Sequence, residues 1–248
     1  MSKAVLITGG SRGIGRAAAL AAARAGWSVG VNYREDSHAA DVVVAAIASA
    51  GGRAVALKGD VGAEAEVVEM FEAAVRALGP LKAVVANAGI VAPIERLVDM
   101  SAERIRRVFE VNALGAYFTA REAARRMSES AGGTGGSIVL VSSGATRHGA
   151  PNAYVDYAGA KGAVDALTVG LARELGPEGV RVNAVRPGMI ETDIHLTTGQ
   201  PDRARALGRA APLGRPGTPE EVAEAILWLM GEAASYVSGA ILDVAGGR

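Results

Sequence analysis

The sequence predicts an α/β fold: a parallel sheet with helices on both faces. Three observations carry this. Short runs rich in Val, Ile and Ala alternate with longer Ala-rich helical stretches along the 248 residues. Most of the short runs are apolar throughout, as strands covered on both faces are. Strand followed by helix, repeated, implies right-handed crossovers between parallel strands.

In chain order, Ala4–Thr8 is the first expected strand, and Gly13–Ala25 is the helix that a glycine-rich turn opens after it. Ser28–Asn32 and Ala54–Leu57 are the next two strands, separated by an Ala/Val-rich helix over Ala39–Ala50. Glu64–Leu78 is a helix, Ala83–Ala86 a short buried strand, and Ala102–Met127 a long helix. Gly132–Gly136 is a turn before the strand Ile138–Val141. Tyr154–Leu175 is a helix and Arg181–Val185 a strand. Pro219–Met230 is the last helix and Ala240–Val244 the last strand. Met189–Leu213 is polar, broken by Gly and Pro and without a strand pattern, which marks a binding loop or lid. No stretch has the look of an interdomain linker, so the expectation is a single domain spanning residues 1–248.

Composition narrows the chemistry. Lys+Arg and Asp+Glu both total 26, so no net field favours nucleic acid or an acidic membrane. There are no cysteines, which removes disulfides, thiolate metal sites and cysteine nucleophiles. His38, His148 and His195 lack metal-ligand spacing, and no metal is expected. No signal peptide and no run of 18 apolar residues is apparent, so the expected location is cytoplasmic.

Thr8-Gly9-Gly10-Ser11-Arg12-Gly13-Ile14-Gly15 lies between the first strand and the first helix. Glycines there let a pyrophosphate approach the backbone, and the helix N-terminus offers free N–H groups to the anion. Gly9-Gly10-Ser11-Arg12-Gly13 also matches the G-x-S-x-G elbow of hydrolases, but no earlier strand supplies an oxyanion loop. A phosphate-binding P-loop fails at Arg16 and Ala17, where Lys and Ser/Thr are required. After the second strand, Tyr33-Arg34 replaces the carboxylate that holds a ribose 2′-hydroxyl. Arg12 and Arg34 together suit a 2′-phosphate, which favours NADP(H). Glu35 and Asp36 follow closely and keep NAD(H) open.

Tyr157 and Lys161 stand four apart, on one helical face. A free phenol, with pKa ~10, is a poor base near neutrality. A neighbouring ammonium lowers that pKa, and a tuned phenol can exchange a proton with an alcohol as hydride departs. Tyr154 has Ala158 at the same spacing and no such partner. Val141-Ser142-Ser143 ends a strand, where a hydroxyl faces the ligand crevice and can steady a substrate oxygen.

These motifs together resemble the short-chain dehydrogenase/reductase family over essentially the whole chain. The landmarks are Thr8-Gly9…Gly13-Ile14-Gly15, Asp60-Val61, Asn87-Ala88-Gly89, Asn112, Ser143, Tyr157…Lys161 and Pro187-Gly188. The resemblance implies a single doubly wound Rossmann domain with a seven-stranded parallel sheet. It implies that Gly9, Ser11, Gly13, Ile14 and Gly15 cradle the pyrophosphate, and that Asp60 and Val61 meet the adenine. Asn87, Ala88 and Gly89 would line the cofactor cleft. Tyr157 would be the acid/base, with Lys161 lowering its pKa and binding the nicotinamide ribose. Ser143, rather than Ser142, would orient the substrate, and Asn112 would hold a relay water. Pro187, Gly188, Ile190 and Thr192 would border the nicotinamide. Ala86 and Ala160 depart from the Asn and Ser common in the family, without removing a reactive group.

The pattern is similar to both the 3-oxoacyl-carrier-protein reductase and glucose dehydrogenase branches, with a small-molecule substrate and a homotetramer implied. A polar Met189–Leu213 segment fits a sugar or polyol slightly better than a 3-oxoacyl thioester. Two other functions use the same fold: a non-catalytic NADP-binding sensor, and a lyase or isomerase with transient oxidation.

Overall fold

The computed structural model describes residues 3–192, 194 and 203–248. Among these, seven strands form one sheet: β1 (Lys3–Ile7), β2 (Trp27–Tyr33), β3 (Ala54–Lys58), β4 (Leu81–Ala86), β5 (Gly136–Val141), β6 (Val180–Pro187) and β7 (Ile241–Val244). Their order is β3-β2-β1-β4-β5-β6-β7, and every pairing is parallel. This is the expected doubly wound α/β fold.

Both faces of the sheet are covered, which explains the continuous apolar runs. Successive residues of β1 point to opposite faces. Val5 and Ile7 enter one core with α1 (Gly13–Arg24), α2 (Ser37–Ser49) and a C-terminal helix, Pro219–Met230. Ala4 and Leu6 enter the other, with Phe71 of α3 (Glu64–Leu78) and Val164 of the helix Val155–Leu175. Strand ends run past the apolar runs because backbone pairing continues: Gly136 and Ser137 already pair with Val180 and Arg181.

The expected helix Ala102–Met127 is interrupted. It consists of α4 (Ala102–Phe109), a π-helical turn over Glu110–Leu114, and α5 (Gly115–Met127). The wide turn carries Asn112, and single π-turns of this kind recur at functional sites. A one-turn helix, α6 (Ala145–His148), follows β5, and α7 (Val155–Leu175) follows that. The segment expected to be irregular contains α8 (Arg203–Gly208), and Ile190 bridges to Gly217 before α9 (Pro219–Met230). Asp193 and residues 195–202 of that segment lie outside the described residues.

Candidate active site

β2 and β3 lie on one side of β1, and β4 to β7 on the other. The chain leaves β1 and β4 toward opposite faces, so a crevice opens at their carboxyl ends. Here it is a cleft of about 980 Å³. A smaller hollow of about 280 Å³ lies between Met189, Arg215 and the C-terminal residues, apart from Tyr157 and Lys161.

The floor of the cleft is cross-braced. Thr8 Oγ1 accepts hydrogen bonds from the Asn87 and Ala88 N–H groups at 2.9 and 3.1 Å. Asn87 Nδ2 donates to the Thr8 and Gly9 carbonyls at 2.9 and 3.1 Å. From β2, Asn32 Oδ1 accepts from the Gly9 N–H at 3.0 Å, while its amide donates to the Leu57 and Gly59 carbonyls at 3.1 and 3.0 Å. Gly9 has φ +61°, a left-handed conformation that favours glycine. A Cβ at Gly15 would collide with the Gly9 carbonyl and Asn87 Nδ2. The first turn of α1 has no acidic residue, and its N-cap, Arg12, makes no side-chain cap bond. Such an N-terminus presents N–H groups to an anion. The crowded glycines and the uncapped helix fit the pyrophosphate of a dinucleotide.

At the other end of the turn, Tyr33 closes β2 and Arg34 pairs with Glu35 at 2.6 Å. The Asp36 carboxylate caps α2 through the Ala39 N–H at 2.9 Å. Asp60 accepts from the Gly62 N–H at 2.9 Å and pairs with Arg107 at 2.5 Å. Burial pushes the Asp60 carboxyl up, but these two hydrogen bonds and the positive charges of Arg107 and Arg34 leave its pKa below the usual value. Val61 beside it is buried.

Ser143, Tyr157 and Lys161 border the same cleft as the glycine turn. Lys161 is buried, its Nζ donates to the Val141 carbonyl at 2.7 Å, and it lies 5.9 Å from the centre of the Tyr157 ring. Tyr157 is half-buried, at the start of α7. Ser142 and Ser143 are told apart by their partners. Ser142 is 2% exposed and its hydroxyl donates to Asp165 at 2.6 Å. Ser143 Oγ, half-buried, accepts from the Ala145 N–H at 3.1 Å and hydrogen-bonds Tyr157. Pro187, Gly188, Ile190 and Thr192 border the cleft beyond β6.

The expected site residues therefore converge, with two exceptions of position. Gly15 sits behind the turn. Asn112 is fully buried behind the loop after β4, its amide donating to the Ile90 and Val108 carbonyls and its Oδ1 accepting from the Ile90 N–H. As placed, the Asn112 side chain braces that loop.

The family described as enoyl-(acyl carrier protein) reductase matches residues 9–248. The chain is 49% identical to the uncharacterized oxidoreductase YgfF of Escherichia coli (strain K12), over 98% of both chains. It is 40% identical to an L-rhamnose 1-dehydrogenase (NAD(P)(+)) of Sphingomonas sp. (strain SKA58), covering 99% of this chain and 95% of the relative. Among solved structures, a short-chain type dehydrogenase/reductase from Mycobacterium marinum superposes with a TM-score of 0.91 at 38% identity, over 99% of this chain and 94% of that one. The chain belongs to the short-chain dehydrogenase/reductase family.

As a short-chain dehydrogenase/reductase it is an oxidoreductase, of a family served by nicotinamide cofactors. Burial disfavours charge on both Tyr157 and Lys161. Burial pushes the Tyr157 phenol above its usual pKa, and the hydrogen bond with Ser143 offsets only part of this. Lys161 does not reverse the shift: burial pushes its own pKa down to about 8, against the attraction of Asp165.

The short-chain dehydrogenase/reductase also holds groups that the sequence did not single out. Asp156 Oδ1 accepts the Tyr157 N–H at 2.9 Å, and Oδ2 accepts from Arg104 Nε at 2.9 Å. Arg104 Nη1 donates to the Pro93 carbonyl at 2.7 Å and to Glu95 at 2.8 Å. This pair ties the Tyr157 end of α7 to the loop that walls the cleft. Asn32 had no signal beyond its place at a strand end.

Proposed function

We propose that this enzyme is an NADP(H)-dependent oxidoreductase acting on a secondary alcohol or its carbonyl, with Tyr157 as proton-transfer acid/base. The observation that carries the reading is that Ser143, Tyr157 and Lys161 share one cleft with the glycine turn. When bound in this cleft, the nicotinamide would supply or accept the hydride. The Tyr157 hydroxyl takes the alcohol proton in oxidation and returns it in reduction. Ser143 hydrogen-bonds the reacting oxygen and holds the phenol, and Lys161 supplies positive charge and a donor for the nicotinamide ribose. Ser11, Gly13 and Ile14 would hold the pyrophosphate.

Preference for NADP(H) is supported by the absence of a free carboxylate at the end of β2. Asp36 is engaged as a helix cap and Glu35 as the partner of Arg34. Arg12 and Arg34 are both exposed on the cleft rim, where a phosphate can recruit them. Residues 189–213 act as the substrate segment, and their polarity favours a sugar- or polyol-like substrate over an acyl thioester. A relative named L-rhamnose 1-dehydrogenase is consistent with this.

The deciding experiment follows nicotinamide absorbance over a panel of sugars, polyols, acyl thioesters and simple ketones, with NADP(H) and NAD(H) in parallel. Tyr157→Phe is expected to lower kcat about 10²- to 10⁴-fold while cofactor still binds. Full activity in that variant rejects Tyr157 as the acid/base, and faster turnover with NAD(H) rejects the role of Arg12 and Arg34.

A further inference from the structure

The glycine turn divides the cleft. Ser143, Tyr157 and Lys161 lie on its β5 side, and the carboxyl ends of β2 and β3 lie on the other. A dinucleotide with its pyrophosphate on that turn and its nicotinamide beside Tyr157 places its adenine at the β2–β3 end. Tyr33, Gly59, Asp60, Val61 and Arg107 border the cleft there.

Two of these side chains are joined. Arg107 comes from α4, and Asp60 from the turn after β3. Arg107 Nη2 donates to Asp60 Oδ2 at 2.5 Å, and Asp60 Oδ1 accepts the Gly62 N–H at 2.9 Å. Each carboxylate oxygen thus has one partner here and a further lone pair to offer. The backbone beneath is fixed as well, because the Asp60 N–H donates to Glu66 Oε2 at 2.8 Å. Gly62 leaves room for the arginine: a Cβ there would stand 3.0 Å from Arg107 Nη1. The same Nη1 lies 3.6 Å from Glu110 Oε2.

Exposed ion pairs contribute little to stability. The Arg107 and Asp60 side chains are 35% and 20% exposed, and both face ligand space. Together they carry no net charge, so the pair offers direction rather than attraction for a phosphate. A carboxylate can only accept, and the exocyclic amino group of adenine is a donor. Hypoxanthine has a carbonyl oxygen at that position, which leaves two acceptors facing each other.

We propose that Arg107 is a positioning residue for base recognition: it holds the Asp60 carboxylate turned to accept the amino group of the cofactor's adenine. The proposal rests on the reading of the cleft as a dinucleotide site. It makes the base, beside the phosphates, a determinant of which dinucleotide is held.

Isothermal titration calorimetry of the full chain tests this without turnover. The ligands are NADP⁺, NAD⁺ and the deamino analogue of each, in which hypoxanthine replaces adenine. The parent is expected to bind the adenine form about 10-fold more tightly than its analogue, the worth of one charge-assisted hydrogen bond. Arg107→Met is expected to abolish most of that preference, chiefly by weakening the adenine form. Arg107→Lys keeps the charge without the planar fork and is expected to restore only part of it. Asp60→Ala is expected to remove the same preference, and adding Arg107→Met to it to cost little more, as for two residues acting as a unit. Nicotinamide mononucleotide, which has no adenine, is expected to bind all variants alike.

Equal losses for adenine and hypoxanthine forms in Arg107→Met overturn the proposal, since a structural role or a general pull on phosphate would produce them. So do additive losses in the double variant. Should Arg107→Met fail to fold, the ratio in Arg107→Lys decides, and an unchanged ratio overturns the proposal. Tighter binding of NAD⁺ than NADP⁺ rejects the phosphate role of Arg12 and Arg34, while the base ratio measured on NAD⁺ still reads Arg107. A parent that binds none of these dinucleotides rejects the cofactor reading itself, and the role of Arg107 with it.

Discussion

Lys161 carries its charge in surroundings that disfavour it. The residue is 3% exposed, and burial pulls its pKa from 10.5 to about 8. Unfolding returns the side chain to water and to its ordinary pKa. Between those two values the unfolded chain binds more protons than the folded one, so this group makes stability rise with pH. Below pH 8 the full penalty applies, about 3 kcal/mol for a shift of this size. Lys161→Met is therefore expected to be more stable than the parent at pH 7, with the difference fading as pH approaches 10.5. Urea midpoints at a series of pH values read this directly. A pH-independent difference would mean that Lys161 keeps its ordinary pKa in the fold.

At the scale of elements, the start of α7 is pinned by one ion pair. Asp156 and Arg104 have side-chain exposures of 1% and 11%, and Asp156 also takes the Tyr157 N–H. Removing one partner leaves a buried charge alone, so Arg104→Met is expected to cost about 3–5 kcal/mol in urea unfolding and to lower kcat. A loss comparable with that of an exposed pair would show that the cluster is solvated. The glycine turn is less forgiving still. Gly15→Ala places a methyl against the Gly9 carbonyl, and overpacking of this kind costs about 1–3 kcal/mol. NADPH affinity, measured by fluorescence titration, should fall with stability if, as proposed, the displaced backbone receives the pyrophosphate. These elements also show what sequence can and cannot carry. Tyr157 and Lys161 are legible because helical periodicity is local. So is the glycine turn, which joins adjacent elements. Arg104 and Asp156 lie 52 residues apart, and Asp165 and Arg186 lie 21 apart. On its own helix or strand each looks like a solvated charge. The π-turn at Asn112 escapes a periodicity search for a different reason. Its extra residue answers a tertiary demand, the bonds to Ile90, and leaves no local composition signal.

For the whole molecule, a ligand that binds only the folded state raises stability by mass action. Cofactor at about 100 times its Kd adds ~2.7 kcal/mol. A larger thermal shift with NADPH than with NADH at equal concentration is the expected outcome, and equal shifts would remove the basis for a phosphate-binding role of Arg12 and Arg34. The seven-stranded parallel sheet was legible through the family resemblance, but the strand order was not, since apolar runs announce strands and not their neighbours. That order has a consequence for synthesis. β1 pairs with β4, and the Thr8 N–H reaches the Val85 carbonyl 77 residues downstream. A chain emerging from the ribosome can form β1, α1 and β2 early, but Thr8 and Gly9 have no Asn87 until β4 has been translated. Contacts this distant slow folding, and until they form the edge of β1 is an open template for mispairing. The nascent N-terminal third is therefore the stretch for which chaperone protection matters most.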